Sequence, residues 1–153
     1  MIKKGIPLTI ATIILIFLYF ISQIAFFHDE EFERAVRDTM NSSVMSMSHK
    51  RDKPIEGIIW KKDLEKVDYI SINFRYYNVK SISDIKYFKN ARIVWFSYSR
   101  AYREDTSKYK EEHILDKLYL IKKFKHLEKL YLLHLIINED IEAMFPGVNV
   151  FID

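Results

Sequence analysis

The residue types that most often carry out chemistry in proteins are few and scattered in this chain. The five histidines show no metal-ligand spacing such as His-Glu-x-x-His; they are His28, His49, His113, His126 and His134. The chain has no cysteine, which removes thiolate metal sites and thiol nucleophiles. Its three glycines stand far apart, so no glycine-rich phosphate loop can form. The sequence therefore predicts no catalytic residue, no metal site and no cofactor.

The composition indicates one folded domain with a nearly balanced charge. The 153 residues carry 24 Lys plus Arg against 21 Asp plus Glu, which gives a net charge of +3. The cations form no block long enough to follow a phosphate backbone, so we expect no nucleic-acid partner. Hydrophobic residues make up 49% of the chain, too large a share for a disordered protein.

The N-terminal part contains a long apolar stretch without charges, from Gly5 to Phe27. As a helix it would extend about 35 Å at ~1.5 Å per residue, against ~30 Å for a bilayer core. This pattern predicts a transmembrane helix over residues 6–27 that acts as an uncleaved signal anchor. A cleaved secretory signal, with Lys3 and Lys4 as its basic region, stays open as the alternative.

The flanking charges predict the orientation and the remaining layout of the chain. Lys3 and Lys4 place residues 1–5 in the cytoplasm, so we expect a single-pass protein of the cell membrane with its C-terminal domain outside the cytoplasm. Phe32, Val36 and Met40 recur at four-residue spacing, which indicates an amphipathic helix. Residues 28–57 are therefore predicted to form a stalk and linker, and residues 58–153 a domain.

Beyond residue 57 the chain repeats a pattern. Three segments share one spacing of apolar residues: Leu64, Val67, Ile70 and Ile72; Phe88, Ala91, Val94 and Phe96; Phe124, Leu127, Leu130 and Leu132. A charged insertion, residues 99–113, separates the last two copies, and a truncated fourth copy ends the chain at Asn149 to Ile152. Repetition at this length indicates units that stack on one another.

These segments resemble the leucine-rich-repeat family, whose pattern is Leu-x-x-Leu-x-x-Leu-x-Leu. The part from Ile82 to Ala91 is similar to the inter-strand part of bacterial repeats of the internalin kind. The resemblance covers about residues 55–153, and the family's asparagine after the last apolar position is replaced by Arg75, Ser99 and Leu135. It implies an irregular α/β stack of three to four parallel strands with helices on one face, and a bacterial source.

The residue pattern alone also predicts strands at residues 69–74, 93–98 and 129–134, each rich in β-branched or aromatic residues. If the repeating apolar residues point into the core, the residues between them lie on the opposite face of the sheet. We expect two rows on that face; one is Ser71, Trp95 and Tyr131, and the other is Asn73, Ser97 and Leu133. Either the stalk helix or the charged insertion could instead cover this face.

Two classes of function fit this reading. In the first, the protein is a membrane-tethered interaction module that binds a protein partner through the two rows, because exposed Trp and Tyr dominate binding hot spots. In the second, it is a small membrane-anchored enzyme whose site the sequence does not reveal. The absence of a catalytic motif favours the first class.

Overall fold

The computed structural model describes residues 8–98 and 115–153; the charged insertion at 99–113 lies outside them. The α-helices are α1 (Leu8–Ser22), α2 (Glu30–Thr39), α3 (Lys61–Leu64) and α4 (Ile141–Met144). In this part of the chain, 3₁₀ helices span Met47–His49, Ser83–Tyr87 and Leu118–Lys123. The strands are β1 (Met40–Asn41), β2 (Val44–Ser46), β3 (Tyr69–Asn73), β4 (Ile93–Ser97), β5 (Lys129–Leu133) and β6 (Asn149–Ile152).

The six strands form one mixed sheet in the order in which they occur along the chain. β1 and β2 pair antiparallel, and β2 to β6 pair parallel. The connections between the parallel strands carry α3, the 3₁₀ helices Ser83–Tyr87 and Leu118–Lys123, and α4. Parallel neighbours require such crossovers, and these bury their apolar residues against one face of the sheet.

Side-chain alternation along the strands decides which face is buried. Along β3, Ile70 and Ile72 are almost fully buried while Ser71 between them is half-buried. Strands β4 and β5 repeat this pattern, and the pairing places Ile70, Val94 and Leu130 side by side in the core. Because side chains alternate between faces, the same pairing also places the intervening residues side by side on the opposite face. We call that opposite side of the sheet the outer face.

The helix α2 belongs to the core side of the sheet. Asp29 caps its N-terminus by accepting a hydrogen bond from the Phe32 N–H at 2.9 Å. Phe32, Ala35 and Val36 form one buried stripe, and the Phe32 ring lies 6.1 Å from the ring of Phe88 between centroids. The segment that the sequence predicts as a stalk thus contains α2, which packs on the core side of the sheet. It also contains β1 and β2, which are strands of the sheet itself.

Two buried carboxylates fasten this segment to the loop before β4. Asp84 is fully buried and accepts hydrogen bonds from the backbone N–H groups of His28, at 2.6 Å, and Asp29, at 3.1 Å. Asp29 in turn accepts hydrogen bonds from the N–H groups of Lys80 and Ser81, both at 2.8 Å. These carboxylates therefore satisfy backbone donors that the fold removes from water.

The predicted stack of three to four parallel strands is wrong, because the sheet has six strands and is mixed. The three strands predicted at 69–74, 93–98 and 129–134 are present as β3, β4 and β5. The additional strands β1 and β2 span only two and three residues, in a serine-rich segment. Strands this short contain too few alternations to be recognised from their sequence.

The predicted transmembrane helix, and with it the single-pass anchor and the cell-membrane localisation, is also corrected. Over residues 8–98 and 115–153, no helix is both long enough and apolar enough to cross a membrane. Helix α1 has 15 residues, which is about 22 Å at ~1.5 Å per residue and shorter than a ~30 Å bilayer core. The chain leaves the helix before Ile24, which forms a β-bridge with Trp60, and Ala25 is buried in the core. Hydropathy extends the predicted transmembrane helix through Ile24 and Ala25, which instead pack against the domain.

The carboxylate of Asp29 yields a test of how the N-terminal segment is held. Replacement by alanine leaves the N–H groups of Phe32, Lys80 and Ser81 without their acceptor, so Asp29→Ala should lower the free energy of unfolding by about 2 kcal/mol or more. Chemical denaturation of the full chain measures this loss. The control is Glu30→Ala, a change in the exposed neighbouring residue. Equal small losses in both variants would contradict the anchoring role of Asp29.

Tyr77 provides a second test, of the contact between α2 and the turn that follows β3. Its hydroxyl group donates a hydrogen bond to the Asp38 carboxylate at 3.3 Å, and the Arg34 guanidinium lies 5.4 Å from the ring centroid. Burial, and after it the negative charge of Asp38, together raise the pKa of Tyr77 to about 12.

In the unfolded chain this tyrosine would lose its proton near its ordinary pKa of 10.0, so between pH 10 and about 12 only the folded form keeps it protonated. The free energy of unfolding should therefore fall as the pH rises through that range. Ultraviolet titration should contain a component that ionises near pH 12, and Tyr77→Phe should remove that component. A Tyr77→Phe titration identical to that of the unchanged protein would contradict this assignment.

Candidate binding surface

The outer face carries the six residues that the sequence predicts for partner binding. The pairing places Ser71 beside Trp95, and Trp95 beside Tyr131. It extends this row at both ends, to Ser46 on β2 and to Phe151 on β6. The second row has Asn73 beside Ser97 and Ser97 beside Leu133.

Trp95, Tyr131 and Phe151, which we call the aromatic row, form a continuous stack across three strands. The rings of Trp95 and Tyr131 lie 4.6 Å apart between centroids with planes 22° apart. Those of Tyr131 and Phe151 are also 4.6 Å apart, with planes 8° apart. This distance is close to the ~4.8 Å spacing of hydrogen-bonded strands, so backbone pairing alone brings the rings into contact.

The exposure of the aromatic row increases toward the edge of the sheet. Trp95 and Tyr131 are half-buried, and Phe151 is 46% exposed because β6 is an edge strand. At the other end of the row, the residue of β3 that is paired with Trp95 is the small Ser71. The stack therefore ends in a small side chain on one side and in an exposed ring on the other.

The second row differs from the first in its surroundings. Ser97 is only 7% exposed, so alternation alone overstates what its side chain offers to a partner. Asn73 is half-buried and its side-chain oxygen accepts a hydrogen bond from the Arg75 N–H at 3.1 Å, which closes the turn after β3. Leu133 is also half-buried. The second row thus presents less accessible side-chain surface than the aromatic row.

An ion pair joins the chain just before β4 to the chain just before β5. Two nitrogens of the Arg92 guanidinium donate hydrogen bonds to the Glu128 carboxylate at 2.8 and 3.0 Å. These hydrogen bonds lower the pKa of Glu128 and raise the pKa of Arg92, and the attraction between the two charges acts in the same directions. The pair supports the alignment of the two strands that carry Trp95 and Tyr131.

Of the two elements that could cover the outer face, the structure locates one. Helix α2, from the predicted stalk, packs on the opposite side of the sheet through Phe32 and Val36. The charged insertion at 99–113 lies outside the described residues. The stalk helix therefore does not cover the aromatic row.

Sequence reasoning missed Phe151, although a signal for it was present. The sequence pattern predicts a truncated fourth copy of the repeat at Asn149 to Ile152, and aligning Ile152 with Leu132 places Phe151 beside Tyr131, as the structure does. Ser46, at the opposite end of the same row, had no such signal because β2 lies outside the repeats.

The histidines do not assemble a metal site in the described part of the chain. Across residues 8–98 and 115–153, no three side chains of His, Asp or Glu lie close enough together to hold a metal ion. His28 Nδ1 lies 2.9 Å from the Asp84 carboxylate, and His134 Nδ1 lies 3.7 Å from that of Asp153. The alternative of a small enzyme with an unrecognised site stays a prediction that these contacts do not test.

Comparison of this chain with protein-family models, with curated proteins and with solved structures finds no match. The resemblance to leucine-rich repeats therefore has no family evidence behind it.

The alternation between faces can be tested on two adjacent residues of β4. Phe96 is fully buried, so Phe96→Ala should cost about 3–5 kcal/mol of unfolding free energy. Trp95→Ala removes mainly one stacking contact and should cost about 1–2 kcal/mol. Equilibrium unfolding in denaturant compares the two variants. A loss for Trp95→Ala as large as that for Phe96→Ala would mean that another element covers the aromatic row.

Proposed function

We propose that this protein is an interaction module that binds a protein partner through the outer face of its sheet. The observation that supports this is the aromatic row, in which two half-buried rings and one exposed ring stack across β4, β5 and β6. Contact between a contiguous group of aromatic side chains and water is unfavourable, and such exposed groups commonly mark sites where a partner binds.

The stack is suited to binding because its side chains are already ordered. Each ring stacks on at least one neighbouring ring at 4.6 Å, so less rotamer entropy is lost when a partner docks than for an isolated side chain. Tyr and Trp are also the residues most enriched in binding hot spots, where an apolar body is combined with a hydrogen-bonding group. The aromatic row would therefore supply most of the affinity for a partner. The polar residues Ser71 and Asn73 lie beside the row on β3.

The geometry also indicates where on the partner the strongest contacts would form. Next to Trp95 the paired residue is the small Ser71, so we expect a planar side chain of the partner to stack on the indole at this end of the row. At the opposite end Phe151 offers an exposed ring at the sheet edge. A partner segment that crosses the strands would reach both ends of the row.

We expect Trp95→Ala and Tyr131→Ala each to weaken partner binding by ~2 kcal/mol or more, roughly thirtyfold in affinity, while the domain remains folded. The measurement is affinity capture by the immobilised full chain from extracts of its source cells, with quantitative mass spectrometry. Titration of the purified captured protein then gives the affinities.

The control is Tyr119→Ala, which removes an exposed aromatic side chain outside the aromatic row. This control is needed because α1 exposes many apolar side chains that would retain proteins non-specifically. Only a protein lost in both row variants and kept by Tyr119→Ala counts as a partner. Capture of the same proteins by all variants would refute binding through the outer face.

A further inference from the structure

The helix-covered side of the sheet contains a cavity that has no role in the proposed function. This cavity of about 380 Å³ opens between α3, the 3₁₀ helix Ser83–Tyr87 and the 3₁₀ helix Leu118–Lys123. Four of its lining residues are Lys61, Lys86, Lys89 and Lys123, and the ring of Tyr87 lies among them. We call it the lysine pocket. Its cations come from three separate segments, so folding is what brings them together.

The Tyr87 ring is a fixed part of this pocket. Its hydroxyl group donates a hydrogen bond to the Phe26 carbonyl oxygen at 2.8 Å and accepts one from the Phe26 N–H at 3.3 Å. The ammonium nitrogen of Lys86 lies 5.1 Å from the ring centroid and that of Lys61 lies 5.8 Å from it. Both cations are thus held near one aromatic ring, where the π-system attracts them.

Neighbouring carboxylates neutralise only part of the positive charge in the pocket. Lys89 forms an ion pair with Glu65 at 3.0 Å. Lys86 lies 3.7 Å from Asp84, but that carboxylate also accepts the two backbone hydrogen bonds from His28 and Asp29. The pocket therefore contains more cations than the adjacent acidic groups can balance.

The other two lysines have no carboxylate partner in the described part of the chain. Lys61 donates a hydrogen bond to the Ser22 carbonyl oxygen at 2.6 Å, which is a neutral acceptor. Lys123, at the end of its 3₁₀ helix, forms no ion pair within residues 8–98 and 115–153. Like charges gathered in this way repel one another, and a bound anion with two negative charges would relieve that repulsion.

The rest of the lining is apolar. Leu120 is half-buried and Phe124 is 8% exposed, and both border the cavity beside Tyr87. An inorganic ion would leave this wall in contact with water, whereas a ligand with an apolar group would cover it. We propose that the lysine pocket binds a small organic phosphate monoester, with its phosphate at the lysines and its apolar group against Leu120 and Tyr87.

A phosphate monoester fits this arrangement better than a carboxylate does. It carries nearly two negative charges at neutral pH and three acceptor oxygens, so that several ammonium groups can bind it at once. Lysine binds phosphate as a point charge on a flexible chain, which suits a site formed by four separate side chains.

The test is isothermal titration calorimetry of the full chain with phenyl phosphate, hexyl phosphate and inorganic phosphate. The two organic phosphates share the same head group and distinguish an aromatic ligand from one with an alkyl chain. At least one of them should bind about tenfold or more tightly than inorganic phosphate, and its affinity should fall as salt is added.

Variants then locate the site. Lys123→Gln should weaken binding of that organic phosphate about tenfold, because it removes one charge-assisted contact. Lys122→Gln is the matched control, since it makes the same change on the adjacent exposed residue that does not line the pocket. Melting temperatures of both variants should equal that of the unchanged protein.

Three results would overturn the proposal. The first is no binding of either organic phosphate, and the second is equal affinity for inorganic phosphate, which would show that the apolar wall is not used. The third is equal weakening by Lys122→Gln and Lys123→Gln, which would indicate attraction to the general surface charge. None of these results bears on binding through the outer face, because the two surfaces share no residue.

Discussion

The parallel, in-register pairing of β3, β4 and β5 is the constraint on which both faces of this protein depend. One set of backbone hydrogen bonds aligns Ile70, Val94 and Leu130 in the core and, one residue further along each strand, Ser71, Trp95 and Tyr131 on the outer face. A shift of one residue would exchange the two sets, burying the polar and aromatic residues and exposing the aliphatic ones. The burial of the core residues therefore also fixes the geometry of the aromatic stack.

The buried carboxylates of Asp29 and Asp84 extend this order to the N-terminal segment. They hold residues 28–29 against the loop at residues 80–84, and this places α2 on the core and the Phe26 backbone over the Tyr87 hydroxyl group. The position of the Tyr87 ring in the lysine pocket thus depends on the same contacts that hold α2 on the core. The outer face depends instead on the pairing of the strands that carry it. The two candidate binding surfaces are held in place by different interactions.

How much the sequence predicts differs from element to element. Strands β3, β4 and β5 were predicted, because each has five residues with clear alternation and recurs within a repeat. The predicted transmembrane helix is wrong. Hydropathy depends only on residue composition, whereas the end of α1 is set by the contacts of Ile24 and Ala25 with the domain. The burial of Ser97 was not predicted. Side-chain alternation predicts the face of the sheet on which a residue lies, but not whether other residues cover it there. The lysine pocket could not be predicted at all, because its four cations are spread along the chain from Lys61 to Lys123 and form no motif.

Stacking across strands couples the residues of the outer face to the edge of the sheet. Tyr131 contacts a ring on each side, so its orientation depends on both Trp95 and Phe151. Phe151 lies on β6, an edge strand that pairs with β5 alone. An extra planar group that stacks beyond Phe151, or beside Trp95 above Ser71, would continue the row at the spacing set by the backbone. The surface can thus be extended at its ends without any change in the strands between them.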